Sequence, residues 1–83
     1  MKIAVTLMDI GKAEEARNNL QETQACPIYQ ACKRILGDKL LGVSRRYIWT
    51  KDEKDYLLPK EAIDFTLAFD AKKEVKPFKF EVK

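Results

Sequence analysis

The chain has no histidine, and its 83 residues include only two cysteines, three glycines and three prolines. Without histidine it lacks the commonest general base and metal ligand, and every Ser-His or Cys-His nucleophile pair. The glycines are isolated from one another, so the chain has no glycine-rich phosphate loop. Two thiols without a third ligand make a poor zinc site. These absences argue against an enzyme and against a bound metal or cofactor.

Long apolar runs are also missing. The opening segment MKIAVTL alternates apolar and polar side chains, whereas a signal peptide carries a continuous apolar stretch. We therefore expect neither export nor a membrane anchor, and a cytoplasmic location in which both thiols stay reduced. With 46% hydrophobic and 35% charged residues, the chain is predicted to fold as a single domain over residues 1–83. It should do so alone or as a homodimer or another small oligomer.

The net charge of +3 comes from the end of the chain. Residues 71–83 hold five lysines and two glutamates, which leaves residues 1–70 neutral. The lysines are Lys72, Lys73, Lys76, Lys79 and Lys83. They could bind phosphates; alternatively, they are solvated side chains that discourage pairing at the edge of a terminal strand. Lys76 and Lys79 are the candidate binding residues among them.

Two periodicities predict the secondary structure. The segments KIAVTL and FKFEVK alternate as half-buried strands do, and apolar residues with helical spacing follow Pro27 and Pro59. The predicted elements are a strand over 2–7, a short helix capped by Asp9, a loop over 18–25, a helix from Pro27, strands over 43–50 and 56–58, a helix from Pro59 and a final strand over 78–83. This order predicts an α+β two-layer sandwich of the ferredoxin-like, split βαβ type, with an antiparallel sheet covered by helices on one face.

The segment RRYIW is the leading candidate for a binding surface. On a strand, Arg45, Tyr47 and Trp49 would share one face, with Arg46 beside them. Two aromatic rings flanked by guanidinium groups can stack on bases or clasp an anion. Alternatively, Tyr47 and Trp49 point into the core and Arg46 is only solvated.

The two cysteines lie six positions apart in ACPIYQACKRIL and have different predicted roles. Cys26 comes directly before Pro27 and is predicted to be a structural residue at the helix start. Alternatively, backbone N–H groups there could stabilise a thiolate and make the thiol reactive. Cys32 belongs to the apolar stripe of that helix and is predicted to be a small buried side chain. A thiol-dependent enzyme would have to use Cys26.

Several of these features together resemble a group of small bacteriophage proteins with a Cys-Pro helix start and a Phe-Asp…Pro-Phe-x-Phe ending. The shared residues are Asp9, Ile10, Cys26, Pro27, Ala31, Lys33, Arg34, Phe69, Asp70, Val75, Pro77, Phe78 and Phe80. The resemblance covers nearly the whole chain. It implies a non-enzymatic accessory protein in the host cytoplasm that binds and neutralises a host defence protein or a small anionic ligand. The alternative is a weak nucleic-acid-binding protein that uses the Arg/aromatic strand and the C-terminal lysines.

Overall fold

The computed structural model describes residues 1–21 and 24–82. Over these ranges the chain forms three α-helices and five β-strands. The helices are α1 (Leu7–Asn18), α2 (Pro27–Leu36) and α3 (Lys60–Asp70), and a 3₁₀ turn at Gly37–Lys39 follows α2. The strands are β1 (Lys2–Val5), β2 (Leu40–Val43), β3 (Tyr47–Thr50), β4 (Asp55–Leu57) and β5 (Phe78–Glu81). The α+β class is confirmed.

Helix α1 begins earlier than the sequence predicts, because Thr6 is its N-cap. The Thr6 hydroxyl accepts a hydrogen bond from the N–H of Asp9 at 3.2 Å, and the Asp9 carboxylate accepts one from the N–H of Thr6 at 2.8 Å. This reciprocal capping box satisfies two backbone donors. The prediction that Asp9 is the cap is therefore wrong. The helix also includes Asn18, so the predicted loop is shorter than expected, and its residues 22 and 23 lie outside the described ranges.

Helix α2 brings Arg34 to the buried Asp9. The Asp9 side chain is 3% exposed and that of Arg34 is 47% exposed. Arg34 Nη2 lies 2.9 Å from Asp9 Oδ2 and 2.7 Å from the carbonyl oxygen of Ala4. Burial by itself raises the pKa of Asp9, but hydrogen bonds from Arg34 and Thr6 outweigh it and hold that pKa below its usual value. One guanidinium group thus connects α2 with both α1 and β1.

Helix α2 starts at Pro27 as predicted and ends at a glycine that the backbone requires. Gly37 has φ 58° and ψ −129°, a backbone conformation that residues with a Cβ atom rarely adopt. Its N–H donates to the carbonyl oxygen of Lys33 and closes the last turn. Gly11, in contrast, lies on the exposed side of α1 with helical neighbours on both sides.

Alanine at these two glycines should change stability in opposite directions. A Cβ atom would meet nothing within 4 Å at either position, so only the backbone distinguishes them. We expect Gly37→Ala to destabilise the protein by about 1–2 kcal/mol and Gly11→Ala to stabilise it by about 0.5–1 kcal/mol. Urea unfolding of both variants measures the two free energies. Equal effects of the same sign would contradict this account of the helix end.

Strands β1 and β5 form a two-stranded antiparallel sheet. Lys2 faces Glu81, Ala4 faces Lys79, and Ile3 faces Phe80 across the pair. The N–H and carbonyl groups of Met1 and Val82 bond each other at 2.7 and 2.9 Å. Both segments are strands as predicted, but they are shorter than predicted: β1 ends at Val5, with Leu7 already in α1, and β5 ends at Glu81. Lys83 lies outside the described residues.

Strands β2, β3 and β4 form a separate three-stranded antiparallel sheet. The predicted strand over 43–50 is confirmed for Tyr47–Thr50, which form β3, but it is not continuous, because the chain turns between Val43 and Tyr47. The Ser44 hydroxyl accepts hydrogen bonds from the N–H groups of Arg46 (3.2 Å) and Tyr47 (3.0 Å), and the Ser44 N–H donates to the Tyr47 carbonyl at 2.8 Å. The predicted returning strand near Tyr56 is confirmed as β4, and β2 is a strand that the sequence analysis missed.

The split βαβ arrangement of a single sheet is not confirmed. The Ala4 carbonyl points away from β5 and accepts its hydrogen bond from Arg34, so a side chain takes the place of a neighbouring strand at this edge of β1. The two sheets still share one hydrophobic core with the helices. Its buried members include Ile3, Ile28, Cys32, Ile48, Ala62, Phe69 and Phe80. Ile35 on α2 and Leu67 on α3 belong to the apolar pattern of their helices but are 41% and 47% exposed.

Candidate binding surface

The three-stranded sheet exposes one face, and Tyr47 and Trp49 lie on it. Along β3 the side chains alternate, with Ile48 and Thr50 buried and Tyr47 and Trp49 exposed by 46% and 37%. The alternative in which the two aromatic residues point into the core is therefore excluded. Leu57 lies opposite Tyr47 on β4 and is 63% exposed. We call the surface formed by Leu41, Tyr47, Trp49 and Leu57 the outer face.

The ring of Trp49 rests on the backbone of β2 at Gly42. These residues are cross-strand partners, and a Cβ atom on Gly42 would lie 2.6 Å from Trp49 Cζ2. Only glycine leaves room for the ring in this position. Leu41, which precedes Gly42 at an irregularity in the β2–β3 pairing, is 55% exposed. Trp49 is thus held on the sheet while part of its ring stays accessible.

The two arginines lie in the turn before β3, not on the strand. Arg45 is exposed, and its Nη2 is 3.9 Å from Asp70 Oδ2. Both side chains of this ion pair are accessible to solvent. Arg46 is also exposed, and its backbone carbonyl accepts a hydrogen bond from the N–H of Leu58 at 2.7 Å. The prediction that Arg45 shares a strand face with Tyr47 and Trp49 is therefore wrong. Both arginines directly precede Tyr47, the first β3 residue of the outer face.

The outer face contains residues that sequence reasoning did not select. Leu57 and Asp55 lie opposite Tyr47 and Trp49 respectively, so an aliphatic side chain and a carboxylate accompany the aromatic rings. The sequence predicts only that a strand lies over residues 56–58; the observed strand covers Asp55–Leu57. Which residues face each other depends on the register of the β3–β4 hairpin, and the sequence did not specify that register.

The candidate lysines belong to another part of the molecule. Lys79 is exposed on β5 opposite Ala4, and Lys76 is exposed in the segment that leads into β5. Neither residue is in the sheet that carries Tyr47 and Trp49. The structure therefore places Lys79 on the two-stranded sheet and Lys76 in the segment before it, and not in the sheet that carries the outer face.

Neither cysteine has the environment of a reactive thiol. Cys26 is the residue before α2, as predicted, but it packs against the core, and burial raises its pKa despite the nearby N–H groups of Tyr29 and Ile28. The alternative in which the helix start lowers the pKa of Cys26 is therefore not supported, whereas its predicted place at the helix start is confirmed. Cys32 is fully buried, as predicted, and burial raises its pKa to about 12. Both thiols are protonated at neutral pH.

Within the described residues, no group of three or more Cys, Asp or Glu side chains is arranged to hold a metal ion. None of the helices in those residues has the length and apolar character needed to cross a membrane. Comparison of the chain with protein-family models, with curated proteins and with solved structures gave no match.

Proposed function

We propose that the protein is a non-enzymatic binding protein that recognises another protein through the outer face. The observation that carries the proposal is the exposure of Tyr47 and Trp49 side by side on one sheet. Tryptophan, tyrosine and arginine are the side chains most enriched at binding hot spots. The Trp49 ring is already fixed against Gly42, so little conformational freedom is lost when a partner covers it.

The neighbours of the two rings favour a protein partner over nucleic acid. Leu41 and Leu57 are more than half exposed beside them, and aliphatic side chains gain most from burial against another apolar surface. Asp55 faces Trp49 across the hairpin, where its carboxylate would repel a phosphate backbone. The exposed arginines suit the polar rim of such an interface.

The resemblance to small bacteriophage proteins makes the proposed partner a host protein, with a defence protein as the leading class. A protein of this kind neutralises its target by occupying a surface that the target needs. The proposed location is then the cytoplasm of the host cell, where the free thiols of Cys26 and Cys32 would remain reduced.

Nucleic-acid binding is the second candidate, because exposed Tyr47 and Trp49 rings could stack on unpaired bases. It predicts that a short single-stranded oligonucleotide binds and that its affinity falls steeply with salt. A protein partner held by an apolar surface would show a much weaker salt dependence. Titration of both ligands at two salt concentrations separates the candidates.

A charge on the outer face should remove partner binding, whereas the same charge elsewhere should not. We propose Leu57→Asp as the test and Leu20→Asp as its control, because Leu57 is 63% and Leu20 86% exposed. The tagged original chain captures proteins from a bacterial lysate, each captured protein is purified, and its affinity is measured for the original chain and for both variants. We expect Leu57→Asp to weaken binding at least about tenfold and Leu20→Asp to leave it unchanged.

Circular dichroism of both variants is the control for folding, and we expect the spectrum of the original chain. A captured protein that binds both variants equally well would contradict the proposed role of the outer face. Binding of the oligonucleotide alone, with strong salt dependence, would replace the protein partner by nucleic acid.

A further inference from the structure

Strand β5 has an unpaired edge. Met1 and Val82 exchange both backbone hydrogen bonds, and such pairs alternate along an antiparallel ladder. The N–H and carbonyl groups of Lys79 and Glu81 therefore point away from β1. Among the described residues nothing hydrogen-bonds to these groups, and β5 has only β1 as a neighbouring strand. The opposite edge of the sheet differs, because Arg34 occupies it at Ala4.

The side chains of β5 are complementary in charge to a second copy of the same strand. Lys79 and Glu81 are both exposed and share one face of β5. In an antiparallel pair of β5 strands centred on Phe80, Lys79 lies opposite Glu81 of the second copy, and Glu81 lies opposite its Lys79. Opposite charges at directly facing positions stabilise a sheet.

The backbone and the charges select the same register. The outward-pointing N–H and carbonyl groups belong to Lys79 and Glu81. A paired β5 strand must therefore place each of these residues opposite Lys79 or Glu81 of the second copy. Shifting the strands by two residues in either direction would put Lys79 against Lys79 or Glu81 against Glu81. Only the register centred on Phe80 satisfies the backbone groups and pairs opposite charges.

We propose that two copies of the chain associate through β5 across a two-fold axis and form a continuous four-stranded sheet, β1-β5-β5-β1. Such an interface is isologous, since each copy contributes the same strand. Across the exposed face, Glu81 would lie between Lys2 of its own chain and Lys79 of the second copy. Lys79 by itself would discourage pairing at this edge, but in the proposed dimer its charge is compensated by Glu81 of the second copy.

Charge exchange tests the proposal without disturbing the core, because Lys79 and Glu81 are exposed. In sedimentation equilibrium we expect a concentration-dependent dimer. Lys79→Glu and Glu81→Lys should each weaken the affinity of the dimer about tenfold. Each variant replaces the two attractive Lys79–Glu81 pairs between the copies by two pairs of like charge. The double variant Lys79→Glu/Glu81→Lys should dimerise like the original chain. An equimolar mixture of the two single variants should form a heterodimer.

Lys76→Glu is the matched control, since it changes the net charge as Lys79→Glu does but lies before β5. It should leave dimerisation unchanged. A chain that remains monomeric up to about 1 mM would overturn the proposal. A dimer that persists in both single variants would also overturn the proposal. A dimer that dissociates on Trp49→Ala would overturn it as well, because that result would place the contact on the outer face.

Discussion

Replacing Trp49 with alanine should weaken binding of the partner protein at least about thirtyfold, which corresponds to the 2 kcal/mol of a binding hot spot. Trp49 is 37% exposed, and the rest of its ring packs on Gly42. A partner that covers the exposed edge would bury a large, fixed aromatic surface. Titration calorimetry with the purified partner measures the loss of affinity.

Two further variants make this result specific. Trp49→Phe keeps an aromatic ring on Gly42 and should retain most of the affinity. Arg46→Ala removes an exposed charge from the end of the outer face and should reduce affinity by less than about 1 kcal/mol, as rim residues do. If Trp49→Ala bound the partner within about twofold of the original chain, Trp49 would not be part of the interface.

Replacing Arg34 with alanine should destabilise the fold by about 3 kcal/mol, the cost of leaving a buried charge without its partner. Asp9 would keep its hydrogen bonds to Thr6 but lose the guanidinium at 2.9 Å. The Ala4 carbonyl would lose its donor as well. Urea unfolding monitored by circular dichroism measures the change in the free energy of unfolding.

The adjacent residue provides the control for Arg34. Lys33 is also basic and also in the last turns of α2, but its ammonium group is 3.9 Å from a fully exposed Asp38 carboxylate. Because exposed ion pairs contribute little, Lys33→Ala should change stability by less than about 1 kcal/mol. Similar losses for the two variants would show that the Asp9–Arg34 contact has no special role.

The Asp9–Arg34 ion pair should make the free energy of unfolding depend on pH in the acid range. The pKa of Asp9 is lower in the folded protein than its ordinary value, so at acid pH the unfolded chain binds more protons at this group. Its contribution to stability is fully present above the ordinary pKa of about 4 and is lost as the pH falls through the folded-state pKa. The stability difference between the original chain and Asp9→Asn should therefore narrow as the pH falls below about 4. A difference independent of pH would contradict the ion pair.

Local patterns predicted most helices and strands because their causes are local. The alternation in KIAV and FKFE identified both strands of the two-stranded sheet, and Pro27 with the apolar stripe identified α2. The turn at Ser44 was missed because it contains neither glycine nor proline. A serine hydroxyl that accepts two N–H groups makes this turn, and serine gives a much weaker sequence signal.

The division into two sheets depends on contacts between distant residues. Arg34 reaches Ala4 across 30 positions, and no periodicity indicates which carbonyl a guanidinium will bond. The outer face shows the same limit. Alternation placed Tyr47 and Trp49 on one face, but both faces of the YIWT strand carry an apolar side chain, so the pattern did not decide which face meets the core. Leu57 joined the surface only through the hairpin register.

The most direct test of the outer face as the binding surface uses the single tryptophan of the chain. Incorporation of fluorotryptophan gives one fluorine NMR resonance, which reports on position 49 even when the partner contains tryptophan of its own. Addition of the partner should shift this resonance and protect it from a paramagnetic quencher in solution. An unchanged and equally accessible resonance in the fully formed complex would show that the partner binds elsewhere.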